Sequence, residues 1–89
     1  MEISLSGKVV LVTGASRGIG AAIAKACADS EAKVALHYNS NQTQANEVLA
    51  ELNADSEAFQ ADLGNTDSLI RLFEQVVGHF GKVDVLVNN

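Results

Sequence analysis

Two hydrophobic periods alternate along the chain. Val9–Val12 is a short unbroken apolar run, the pattern of a strand buried on both faces. Ile19, Ala22, Ile23, Ala26 and Cys27 then recur at helical spacing and predict a first helix with those residues on its buried stripe. Val34, Leu36 and Tyr38, with Ala35 between them, predict a second strand. Ala45, Val48, Leu49 and Leu52 give a second helical stripe, and Ala58–Ala61 around Phe59 a third strand. Leu69, Ile70, Phe73, Val76, Val77 and Phe80 mark a third helix, with Thr66 or Asp67 as its expected cap and Gly81 as its end. Val83, Val85, Leu86 and Val87 form a fourth strand ahead of Asn88 and Asn89.

Strands that alternate with helices imply parallel strands joined by right-handed crossovers. The expected class is α/β, in the order βαβαβαβ. Each strand is added beside the last until the chain returns past strand 1, which predicts the spatial order 3-2-1-4, the first part of a doubly wound sheet. Helices 1 and 2 should then cover one face and helix 3 the other. Strand 4 should be left as an unpaired apolar edge.

Composition narrows the partners. Hydrophobic residues make up 47% and charged residues 19%, a globular composition, and 89 residues leave room for one small domain at most, with thin stability. Eleven acids against six Lys and Arg give a net charge of −5. That balance speaks against nucleic acid or an anionic membrane as the main partner. Cys27 is the one cysteine, so no internal disulfide can form. The opening MEISLSGK has no apolar core of signal-peptide length, and the cytoplasm is the expected compartment. His37 and His79 are far apart in sequence with no carboxylate pattern around them, so no metal site is expected.

The chemistry concentrates in TGASRGIG, residues 13–20, directly behind the first strand. The first turn of a helix has free N–H groups and a partial positive charge, and phosphate suits both. Gly14 allows a sharp turn, Gly18 leaves the helix entrance open, and Gly20 permits close packing. Ser16 offers a hydroxyl and Arg17 a guanidinium. The triphosphate loop is excluded, because Gly18-Ile19-Gly20 is followed by Ala21 and Ala22 and not by Lys-Ser/Thr.

The spacing Thr-Gly-x-x-x-Gly-x-Gly, complete at Thr13–Gly20, resembles the signature of the short-chain dehydrogenase/reductase family. Asp62–Leu63 is similar to that family's adenine-contacting pair. GKVDVLVNN at Gly81–Asn89 is similar to its fourth strand and to the first half of its Asn-Asn-Ala-Gly motif. The opening LSGKVVLVTGASRGIG resembles the 3-oxoacyl-acyl-carrier-protein reductase branch and its glucose dehydrogenase relatives. The resemblance implies a Rossmann domain of which residues 1–89 are the N-terminal dinucleotide-binding half, cut short. It implies hydride transfer between a nicotinamide cofactor and a carbonyl or alcohol, of the 3-oxoacyl-thioester reductase type, in a homotetrameric parent.

By the same resemblance, Gly14, Ser16, Arg17, Gly18, Ile19 and Gly20 would hold the pyrophosphate end of the cofactor. Asp62 would meet the adenine amino group and Leu63 would offer its backbone. Asn89 would approach the adenosine ribose, and Tyr38 would flank the adenosine or pack at the sheet edge. The strand-2 end reads Tyr38-Asn39-Ser40, with no acid to accept from a ribose 2′-OH. Arg17 with Asn39 and Ser40 would cradle a 2′-phosphate, which favours NADP, with NAD possible.

The family's catalytic serine, tyrosine and lysine all follow the Asn-Asn-Ala-Gly motif. None has a counterpart here: Tyr38 is the one tyrosine, and four residues on stands Gln42, not lysine. No residue of this chain is therefore assigned a catalytic role. A dinucleotide-binding module without turnover and an inactive truncated product are the alternatives. One local departure stands out: Glu31 follows helix 1 where the family usually has glycine, so either the cap is strained or the helix ends differently.

Overall fold

The computed structural model describes residues 4–89. Seven elements follow in chain order: β1 (Val9–Val12), α1 (Gly18–Asp29), β2 (Lys33–Tyr38), α2 (Gln42–Leu49), β3 (Glu57–Gln60), α3 (Thr66–Phe80) and β4 (Val85–Val87). The four strands form one parallel sheet in the order β3-β2-β1-β4, as the crossover argument predicts. Val10 pairs with Val34 on one side and Val85 on the other, so β1 is central and every one of its residues is buried.

The sheet separates two cores. Val10, Val12, Val34, Leu36 and Tyr38 face α1 and α2 and pack with Ala21, Ala24, Ala28, Ala45 and Val48. Val9, Leu11 and Ala35 face the other way and pack with Leu72 and Val76 of α3. The second core is the smaller. A single helix covers that face, and a gap of about 260 Å3 opens between α3 and the β1–β4 edge, lined in part by Leu69, Phe73 and Leu86. Val85 and Leu86 of β4 are about half exposed.

Two helices sit differently from their sequence expectation. In α1 the buried residues are Gly20, Ala21, Ala24 and Ala28; Ile23 and Cys27 lie at the margin, Ala22 and Ala26 are exposed, and Ile19 is 73% exposed. The hydrophobic period is right and its phase is wrong. Small residues face the sheet because the helix lies close to it, and the larger side chains are turned outward. In α3 the unpredicted Leu72 is buried with Val76, whereas Leu69, Ile70 and Val77 are exposed. The cap of α3 is Asn65, whose side chain accepts from the N–H groups of Asp67 and Ser68, and not Thr66 or Asp67. Gly81 ends α3 in the left-handed region at φ 86°, as expected.

The end of α1 answers the question raised by Glu31. The Glu31 N–H donates to Ala28 and the Ala32 N–H to Cys27, the paired bonds of a Schellman closure. That closure needs a left-handed residue at position 31, and Glu31 adopts φ 76°, the one non-glycine residue to do so among those described. The helix ends as it would for glycine, with a strained glutamate in its place.

Candidate functional site

At the end of β1 the chain turns over the C-terminal edge of the sheet. Gly14 and Gly18 both lie at positive φ, 61° and 62°, where a side chain would be strained. Gly20 is needed for a different reason. A Cβ there would lie 2.4 Å from the Gly14 carbonyl oxygen and 2.7 Å from Asn89 Nδ2. Helix α1 thus closes directly on the backbone of its own turn, and on Asn89 just beyond β4.

The turn is secured from two sides, β4 and β2. Asn89 Nδ2 donates to the Gly14 carbonyl at 3.2 Å, and the Asn89 N–H donates to Thr13 Oγ1 at 3.0 Å. Thr13 Oγ1 lies 3.3 Å from the Val87 carbonyl, to which the Thr13 N–H also donates. From β2, His37 holds the next two amides: Gly14 N–H donates to His37 Nδ1 at 3.0 Å and Ala15 N–H to the His37 carbonyl at 2.9 Å. His37 Nε2 lies 2.8 Å from the Ala61 carbonyl, beyond β3. Because Nδ1 faces a donor and Nε2 an acceptor, the ring is the neutral Nε2–H tautomer.

The helix entrances differ in a way that matters. Helix α2 is capped by Asn41, whose side chain accepts from the Gln44 N–H, and α3 is capped by Asn65. Helix α1 begins behind Arg17, which makes no side-chain capping bond, and has no acid in its first turn. Its leading N–H groups and its positive end are left for something outside the helix.

Beside that entrance lies a cleft of about 310 Å3 lined by Ser16, Arg17, Asn39, Ser40, Asn41 and Gln44. The structure therefore brings Arg17 and Ser16 of the glycine turn together with Asn39 and Ser40 after β2. The loop carrying Asn39 is fixed by Gln60, whose Nε2 donates to the Asn39 carbonyl at 2.6 Å. Tyr38 is not part of this cleft; it is only 9% exposed and packs in the core beneath α1 and α2.

The remaining site candidates lie along the same sheet edge. Asp62 is exposed, and its Oδ1 accepts from the Gly64 N–H at 2.9 Å, which fixes the carboxylate by a tight turn. Leu63 is half-buried and borders the gap beside α3. Ile19 is exposed at the entrance of α1. His37, Gln60 and Thr13 have supporting roles that pattern reading missed. The signal for His37 was a polar side chain inside the apolar stretch VALHY.

Two groups away from the turn are perturbed. Burial pushes the Cys27 thiol up. The Val9 N–H, donating to Asp84 Oδ2 at 2.8 Å, and then Lys82, 3.1 Å from the same oxygen, hold the Asp84 carboxyl below its ordinary value. Among the described residues no cluster of His, Cys, Asp and Glu is arranged to hold a metal ion. No described helix is long and apolar enough to cross a membrane.

Comparison with known proteins gives this arrangement a context. Versicolorin reductase stcU of Emericella nidulans is 44% identical over 88 residues, which cover 96% of this chain and 33% of that protein. Hydroxynaphthalene reductase-like protein Arp2 of Metarhizium guizhouense is 43% identical over 89 residues, covering 97% and 33%. The chain thus spans about a third of the length of the curated relatives it matches. Among solved structures, a dehydrogenase/reductase from Sinorhizobium meliloti superposes with a TM-score of 0.94 at 40% identity, covering 99% of this chain and 36% of that one. A Burkholderia cenocepacia dehydrogenase with bound NADP superposes at 0.90 with 38% identity, covering 99% and 36%. Residues 8–89 match the sequence profile described as short chain dehydrogenase, and with it the chain belongs to the short-chain dehydrogenase/reductase family.

Proposed function

We propose that this chain forms the adenosine and pyrophosphate half of an NADP(H) site in an oxidoreductase that interconverts a carbonyl and an alcohol. The observation that carries the reading is the entrance of α1. It is the one entrance of the three described helices that no side chain closes, and the glycine turn stands in front of it. A pyrophosphate fits there by the chemistry of the donors, since bare N–H groups and a helix dipole favour an anion. The space is kept clear because Gly18 has nothing within 4 Å of a Cβ position. When bound, the nicotinamide cofactor supplies the hydride; this chain's part is to bind and orient it.

Gly14, Ser16, Gly18, Ile19 and Gly20 would hold the pyrophosphate segment. Arg17 with Asn39 and Ser40 would take the ribose 2′-phosphate in the cleft they share. Asp62, Leu63 and Asn89 would border the adenosine. Buried Tyr38 would act from below, shaping the floor under Asn39. The bound NADP of the Burkholderia cenocepacia neighbour supports the phosphate assignment. The opening LSGKVVLVTGASRGIG favours a 3-oxoacyl thioester as substrate of the parent, while the relatives named above are reductases of versicolorin and of a hydroxynaphthalene type. The family resemblance also carries the proposal of a homotetrameric, cytoplasmic parent whose catalytic serine, tyrosine and lysine lie outside these residues.

Titration of the chain with NADPH and NADH, followed by nicotinamide fluorescence, tests the reading. NADPH should bind more tightly, and Arg17→Ala should weaken NADPH about tenfold to a hundredfold while changing NADH little. Binding of neither nucleotide, or equal loss of both, would refute it.

A further inference from the structure

Two polar residues are buried among those described, Thr13 and His37, and both attach to the glycine turn. Thr13 belongs to the turn itself. His37 does not: it stands inside β2, 4% exposed, where an apolar side chain would satisfy the sheet. Its burial is sustained by two hydrogen bonds with opposite demands, from the Gly14 N–H into Nδ1 and from Nε2–H to the Ala61 carbonyl.

We propose that His37 is a positioning residue of the cofactor site, its Nδ1 fixing the Gly14 amide so that the amides after Ala15 are left facing the phosphates. The proposal rests on the cofactor reading given above. Gly14 sits at φ 61°, where the chain reverses. Its N–H is held by the His37 ring, and its carbonyl is pressed between Asn89 Nδ2 and the bare face of Gly20. The Ala15 N–H is held by the carbonyl of the same histidine. One residue of β2 therefore ties down the first two amides of the turn, and through Nε2 it also references the turn to Ala61, next to Asp62. The phosphate end and the adenine end of the site are set by one ring. A hydrophobic residue at position 37 would leave a donor at Gly14 and an acceptor at Ala61 both unmet.

Two variants separate positioning from simple packing. In His37→Asn, Oδ1 stands at the reach of Nδ1 and can accept from Gly14, but nothing reaches Ala61. In His37→Gln, the terminal amide has the reach of Nε2 and can donate to Ala61. The experiment combines hydrogen exchange at the Gly14 amide with NADPH titration of the full chain. The expected result in His37→Asn is a protected Gly14 amide, with NADPH affinity lowered less than in His37→Gln because only the Ala61 bond is lost. In His37→Gln the amide should exchange freely and NADPH should bind about tenfold more weakly. The same protection and the same affinity in both variants would overturn the proposal. Should either variant fail to fold, the unsubstituted chain still decides the contact. A through-hydrogen-bond coupling between Gly14 N and His37 Nδ1 in nitrogen-15 spectra supports it, and its absence overturns it. If that coupling is present and the chain binds no NADPH, the cofactor reading falls, and the positioning role with it.

Discussion

The carbonyl oxygen of Gly14 occupies the space that a side chain on residue 20 would require, 2.4 Å from the position of its Cβ. The Gly14 oxygen and carbon, at 2.4 and 3.0 Å, are backbone and cannot yield cheaply, whereas Asn89 Nδ2, at 2.7 Å, is the end of a side chain that can swing away. Gly20→Ala must push α1 off the turn. The expected cost is about 1–3 kcal/mol of stability from overpacking. It should be accompanied by loss of nucleotide binding, because the displaced helix entrance no longer faces the turn. Urea denaturation with nucleotide titration checks this; an alanine variant with unchanged midpoint and affinity would contradict the contact.

A carboxylate in the cleft shared by Arg17, Asn39 and Ser40 should reverse its preference. Asn39→Asp would pair with Arg17 and repel a 2′-phosphate, while offering an acceptor to a free ribose hydroxyl. NADPH should weaken about tenfold or more and NADH should tighten. Competitive titration of the two nucleotides measures the ratio, and an unmoved ratio would remove the cleft from the recognition of the 2′-phosphate.

Glu31 holds a left-handed conformation that the closure of α1 demands. Its carboxylate accepts from Ser4 Oγ at 3.3 Å, a long and exposed bond. Glu31→Gly keeps the closure and removes the strain. It should stabilise the fold by about 1 kcal/mol, read as a higher urea midpoint.

Asp84 links the start of β4 to β1, since its carboxylate accepts from the Val9 N–H while its own N–H donates to the Val9 carbonyl. Its folded pKa lies below the unfolded one, so the folded chain binds the proton less readily. The stabilisation is fully present above the unfolded carboxylate range, near pH ~4. It is lost as pH falls through the depressed folded value. Asp84→Asn should flatten the acid limb of the stability profile. An unchanged limb would show that the Val9 and Lys82 contacts carry no weight in solution.

Sheet order, helix number and the placement of the glycine turn were legible because alternating periods and crossover handedness leave little freedom. Val9–Val12 could only be a central strand, and TGASRGIG could only stand at its end. The phase of α1 was not legible. Isoleucine outweighs alanine on any hydrophobicity scale, yet the close approach enforced by Gly20 selects Ala21, Ala24 and Ala28 for the inner face. The cap of α3 shifted by one residue because Asn65, Thr66 and Asp67 are all competent caps, and a single sequence does not rank them. His37 escaped notice for a geometric reason. Its partners, Gly14 and Ala61, are 23 and 24 residues away and become neighbours only when three strands align.

Strand β4 has a bearing on the turn that its three residues conceal. It is paired on a single side and its first two residues are half exposed, so in a hierarchy of local openings it is expected to unzip before β1 and β2 part. Asn89, which braces Gly14 and Thr13, leaves with it. The cofactor end of the sheet is therefore only as rigid as its weakest seam, and whatever seals the outer flank of β4 also governs how sharply the turn is held. Amide exchange at Leu86 and Val87 should therefore slow as nucleotide affinity rises and quicken as it falls.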